Sequence, residues 1–257
     1  MRTVTLTVEF AVRELRERFA GSFAGILWAV FQPALQLAIF AFVFVKVFNA
    51  KIPGANAPGY VAFLAVALWP WTAFSDAILQ ATRAIQDNAA LIGKVAFPRA
   101  VLVVARVCSS FAIHLLGFVV IIAVLAIFDD SVRLGSGFLF SLLLFLPLFI
   151  LALGISLLFA AVQVFVRDLV QLLTQLLPLL LYCAPVFYDR AIMPAEYRSW
   201  LSLNPFTFYA EAFHASVLGH GEIAPSSIAY ALLVAALAFL IGWRLFARLD
   251  RHFEDFL

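Results

Sequence analysis

Charge is scarce in this chain of 257 residues. Only 12% of the residues are Asp, Glu, Lys or Arg and 65% are hydrophobic, against about 25% charged and about 45–50% apolar in an average soluble domain. The 17 basic and 15 acidic side chains leave a net charge of +2. The cations sit at the ends of apolar runs, so no basic stripe exists for nucleic acid. There are two cysteines, Cys108 and Cys183. Both fall within apolar runs and read as small core-facing residues, with no spacing for a disulfide or zinc framework. No G-x-x-x-x-G-K-[ST] loop is present, because Gly93-Lys94 is followed by Val95 and lacks the upstream glycine. H-E-x-x-H and G-x-S-x-G are also missing. These gaps predict no metal site, no catalytic residue and no cofactor in this chain. A proton-coupled carrier needs a buried relay, and Asp76 with His114 is little material for one. The first long apolar run begins only near Ile26, after Arg13, Arg16 and Arg18, which does not fit a cleavable leader.

What the chain has is apolar length. Runs at about 26–48, 60–79, 100–128, 138–164, 169–187 and 228–245 are each around the 20 residues needed to cross about 30 Å of hydrocarbon. The pattern predicts an all-α integral membrane protein with six transmembrane helices, forming one domain over residues 1–257. Residues 49–59, 129–137 and 165–168 read as turns. Trp69-Pro70-Trp71 predicts a break near the middle of the second span. Arg106 is expected to snorkel, and His114 reads either as a neutral ring bonded to a neighbouring helix or as an intramembrane functional group. Residues 188–227 carry apolar pieces too short to cross, which fit re-entrant or interfacial helices.

Two stretches flank the membrane. In residues 1–20, Val4, Val8, Val12, Leu15 and Phe19 fall on one helical face and Glu9, Arg13, Arg16 and Glu17 on the other. This is the pattern of an interfacial amphipathic helix, either a plain anchor or a surface whose polar face meets a cytoplasmic partner. Residues 83–99, RAIQDNAALIGKVAFPR, interrupt two spans and predict a short surface helix. With the N-terminus inside, twelve Lys and Arg fall on the cytoplasmic side and five outside (Lys46, Lys51, Arg133, Arg190 and Arg198). That bias predicts cytoplasmic termini. A membrane domain with a contact segment and no energy-transducing site is completed most simply by a separate energising subunit.

Several pieces, in order, resemble the membrane subunit of ABC exporters of lipid-linked polysaccharides such as O-antigen, teichoic acid and capsule. They are RFAGSFAGILWAVFQP (18–33), LWPWTAFSDAI (68–78), LIGKVAFPR (91–99), FVRDL (165–169), APVFY (184–188), NPF (204–206) and HFEDFL (252–257). The resemblance implies a type-2 ABC exporter fold in a bacterial inner membrane. It implies a homodimer in which each protomer binds an ATPase subunit that holds ATP and Mg. It places a coupling helix within 83–99, with Lys94, Phe97, Pro98 and Arg99 foremost, Arg167 and Asp168 on a second cytoplasmic turn, and Arg13 and Arg16 on the amphipathic helix. It makes 188–227 a periplasmic re-entrant cap.

A glycan cargo would call for aromatic faces along the path. Trp28, Phe31, Tyr60, Trp69, Trp71, Tyr182 and Phe187 are the candidates, although Phe-rich spans also use rings for packing and Trp and Tyr favour interfaces. Alternatives are a type-2 exporter of capsule, drug or another lipid, and a proton-coupled carrier.

Overall fold

The computed structural model describes residues 2–22, 25, 27–50, 57–95, 97–132 and 134–256. Lys51, Arg133, Ile26, Ala96 and most of the 49–59 turn lie outside the described residues. The elements are α1 (Arg2–Phe19), α2 (Leu27–Ala41) running into a π-helical turn (Phe42–Val47), α3 (Ala57–Thr82), the one-turn helices α4 (Ala84–Asp87) and α5 (Ala89–Ile92), α6 (Ala100–Phe128), α7 (Ser136–Gln163), α8 (Leu169–Tyr182), α9 (Ala195–Leu201), α10 (Thr207–Leu218) and α11 (Pro225–Leu249). Short 3-10 turns cover Arg190–Ile192 and Asp250–Asp255.

Five of these segments are long and apolar enough to cross a membrane. The fifth expected span is different: α8 holds only 14 residues and the chain turns at Cys183–Ala184, ahead of Pro185, where a further helical N–H would be missing.

Helix α3 is the axis, packing on α2, α6, α7, α8 and α10. It passes through Pro70 without the expected break. Buried on nearly every side, it has neighbours to support the backbone around the proline, and the Thr72 and Ser75 hydroxyls donate to Trp69 O and Trp71 O at 2.6 and 2.9 Å. Trp69 is 1% exposed. Its indole lies against Gly117 of α6, where a Cβ would come within 2.7 Å of the ring. Helices α7 and α11 pack with backbones almost touching: a Cβ on Gly242 would lie 2.0 Å from Gly154 O. In lipid, small residues permit such close approach, which dispersion then stabilises.

The elements α1, 83–99, 164–168 and 250–255 meet at one end of the bundle, the near end. Residues 183–224 cover the other, the far end. There α10 lies on α3 and α7.

Candidate functional site: the near-end plate and the exposed faces of α2 and α8

The segment 83–99 is not one helix. Asn88 divides α4 from α5 with φ −107° and ψ 19°. Its amide Nδ2 donates back to Ala84 O (2.9 Å), while its Oδ1 accepts from Arg13 Nη2 (2.7 Å). Such local side-chain bonds compete with a continuing helix. Beyond Ile92 the chain leaves helical structure, with Lys94 and Val95 exposed.

Helix α1 turns Arg13, Glu14 and Arg18 toward the bundle and leaves Val4, Val8 and Val12 uncovered. Phe10 stacks on Phe97 at 5.6 Å. Arg106 reaches toward the near end within the protein. It is buried, donates to Gln80 O (2.9 Å) and Asp87 Oδ2 (2.6 Å), and places Nε 3.2 Å from Glu14 Oε2, an ion pair without hydrogen-bond alignment. Arg18 forks onto Asp76 of α3 with two bonds of 2.9 Å, and His114 Nε2 approaches the same carboxylate at 3.3 Å. Bidentate charge-assisted bonds of this kind are strong and directional. The histidine thus contacts α3, a neighbouring helix.

Arg99, expected on the docking surface, is used internally. It holds Asp250 Oδ1 at 3.2 Å and also pairs with Glu254. Phe165 contacts Phe253 and Phe256, and Gln86 exchanges bonds with Gln163. These ties make α1, 83–99, 164–168 and the C-terminal turn one cross-linked plate. Among the site residues read from sequence, Arg13 and Arg99 are therefore engaged and Phe97 is stacked. Arg16, Lys94, Pro98, Arg167 and Asp168 stand exposed. Arg83, carried in the stretch but not singled out, is exposed beside them. A cavity of about 280 Å³ bounded by Gln86, Ala89, Arg167 and Phe256 opens on this plate.

The seven aromatic candidates separate into two groups. Tyr60, Trp69, Trp71 and Phe187 are buried inside the protomer. Trp71 packs edge-on against Phe206, and Tyr60 donates to Phe187 O at 2.8 Å. Trp28, Phe31 and Tyr182 are about half exposed, at 50%, 52% and 54%. They lie on α2 and at the end of α8, the two helices that flank α3. The same helices expose Gln32, Gln171 and Gln175, and no partner is present for these amides among the described residues. Sequence alone puts Gln32, Gln171 and Gln175 in apolar runs. The missing signal was which face they occupied.

At the far end, Asp189 accepts from the Ala191 N–H and pairs with His220 Nε2, both at 2.7 Å. Burial alone would raise its carboxyl, but these two partners outweigh it and hold Asp189 below the usual carboxylate range. Burial lifts Glu211 above that range, against the pull of Arg190 at 3.2 Å. His214, fully enclosed and bonded to Phe63 O at 2.9 Å, is pushed down to about 3 by burial and stays neutral.

Residues 5–218 match the family described as ABC-2 type transporter. The chain is 27% identical over 257 residues to the O-antigen export system permease protein RfbA of Klebsiella pneumoniae, covering 98% of this chain and 95% of that one. It is 30% identical over 239 residues to the protein of the same name from Myxococcus xanthus, covering 90% and 89%. It is 24% identical to the polysialic acid transport protein KpsM of Escherichia coli, covering 96% and 93%.

Proposed function

Since this chain belongs to the family of ABC-2 type transporters, we propose that it is the permease subunit of an ATP-driven exporter of a lipid-linked, O-antigen-like polysaccharide, working as a homodimer with two ATPase subunits in a bacterial inner membrane, both termini cytoplasmic. One observation carries the reading. Gln32, Gln171 and Gln175 face out of the protomer within apolar helices, the ones that also expose Trp28, Phe31 and Tyr182. An unpaired amide costs several kcal/mol in hydrocarbon, roughly 2–7 kcal/mol. Such groups belong against a water-filled path or a second copy. Amides that bond hydroxyls, interleaved with rings that take the apolar faces of sugars, suit a glycan conduit.

The near-end plate supplies the ATPase contact. Lys94, Arg83 and Arg167 are among its exposed cations without a partner among the described residues. ATP and Mg belong to the partner, which performs the hydrolysis. The kinship to KpsM keeps a capsule glycan as a second reading of the cargo.

The test is ATP-dependent export in cells lacking the native permease. Gln171→Leu with Gln175→Leu should cut export at least tenfold at unchanged protein level and ATPase retention. Lys94→Glu with Arg167→Glu should release the co-purifying ATPase. Export that continues after ATP depletion with the proton gradient intact would overturn the proposal in favour of a carrier.

A further inference from the structure

Two adjoining cavities at the far end share a wall, and neither belongs to the exposed faces of α2 and α8. The first, about 430 Å³, is bordered by Tyr188, Asp189, Arg190, Glu211, His220 and Glu222. The second, about 250 Å³, is bordered by Arg190, Ser202, Glu211, Ser226, Ser227 and Tyr230. Arg190 and Glu211 line both, so their ion pair forms the common wall. That wall is held rigid: Arg190 Nη2 also donates to Arg198 O (2.9 Å) and Ser202 Oγ (3.0 Å), and Arg198 in turn holds Met193 O and Ala191 O. Asp189 is fixed between Ala191 and His220. By contrast, the side chains of Glu222, Ser226 and Ser227 have no partner among the described residues.

The chemistry narrows the ligand. Three carboxylates, Asp189, Glu211 and Glu222, face one guanidinium and the His220 ring, so a phosphate or other anion is disfavoured. Among the described residues no group of three or more His, Cys, Asp or Glu is placed to hold a metal ion. An apolar ligand would leave fixed charges unsatisfied. A neutral polyhydroxylated ring fits. Its hydroxyls donate to carboxylates and accept from Arg190 and the serines, and its C–H face rests on Tyr188 or Tyr230. The larger volume lies at the lower end of the range for small-ligand pockets, about 300–1,000 Å³.

We infer that the paired far-end cavities bind a neutral pyranose, one ring of a glycan, on either side of the Arg190–Glu211 wall. As the recognition of a cargo unit at the exit this rests on the export reading, but binding itself is measured independently.

The experiment is saturation-transfer NMR on the full chain in lipid nanodiscs, using the methyl glycosides of glucose, galactose, mannose and N-acetylglucosamine, and the methyl glycoside of N-acetylneuraminic acid as the anionic probe. At least one neutral glycoside should bind with a Kd on the order of 1 mM. Glu211→Gln should weaken it at least fivefold, as should Ser226→Val with Ser227→Val, a surface change that leaves the wall in place. The anionic glycoside should give less than a tenth of the signal. Absence of neutral-glycoside binding overturns the inference. So do unchanged affinity in both variants and equal binding of the anionic probe. Sugar binding here without ATP-dependent export overturns the export reading alone. Export without sugar binding overturns this inference alone.

Discussion

The two ends of the bundle are held by different forces. At the near end the elements are joined by ions: Arg18 to Asp76, Arg106 to Asp87 and Glu14, and Arg99 to Asp250. At the far end the Arg190–Glu211 ion pair and the Asp189–His220 contact stay within residues 189–220, and that segment is joined to α3 by rings and neutral hydrogen bonds: Tyr60 to Phe187 O, Phe63 stacked on His214 at 3.6 Å, and Trp71 against Phe206 at 4.9 Å. Ion pairs fix direction and break in discrete steps. Packed rings tolerate sliding at nearly constant contact. An end that must pass on a push from a partner is served by the first kind of joint. An end that must open around a bulky ligand is served by the second.

The largest predicted effect removes the contrast altogether. Gly154→Leu forces α7 and α11 apart where Ala238 and Phe239 backbone atoms lie 2.4 Å from the added Cβ. Overpacking against backbone, which cannot repack as a side chain does, costs about 3 kcal/mol. Both ends should therefore melt together, at a lower temperature, in a detergent unfolding scan that follows proteolysis at each end.

Asp76→Leu separates the ends. It leaves Arg18 without its carboxylate. With the Arg18 side chain 29% exposed, the full penalty of breaking a buried pair is screened to about 2 kcal/mol. Protease cleavage near Gly21 should rise while the far end keeps its protection. If α1 remains protected, the ionic joint is not what holds it. Tyr60→Phe makes the reciprocal change. It deletes one buried hydrogen bond, worth about 1 kcal/mol, and should loosen residues 183–189 with no change near Gly21.

Acid supplies an effect that grows with falling pH, and a sign. His214 binds its proton only near pH 3 in the fold, whereas an unfolded imidazole does so near about 6.5. Over that interval the unfolded state holds more protons, so stability is full above about pH 6.5 and falls as pH drops toward 3. The loss should appear first in hydrogen exchange of α10. His214→Gln should flatten it.

Span positions were legible because apolar length is a local property. The expected 100–128 run and α6 coincide, and α7 differs from its expectation by two residues or fewer at either end. The unbroken passage through Pro70 was not legible, because it depends on neighbours that enclose α3 rather than on the sequence around the proline. Nor was the split at Asn88, which needs Arg13 from a helix 75 positions away. Arg18 was one of several near-end cations in the sequence. The available clue was Asp76, an acid within a span, which required a cation from somewhere. Likewise Trp28 and Trp69 look alike as residues in apolar runs. Only packing puts one on an open face and the other against Gly117.

The brevity of α8 bears on the lipid around it. Fourteen helical residues rise about 21 Å, less than the roughly 30 Å of a hydrocarbon core. So short a wall is matched either by a thinner bilayer or by protein packed beside it. The face of α8 that exposes Gln171 and Gln175 calls for the second, a neighbour that can answer amides where acyl chains cannot.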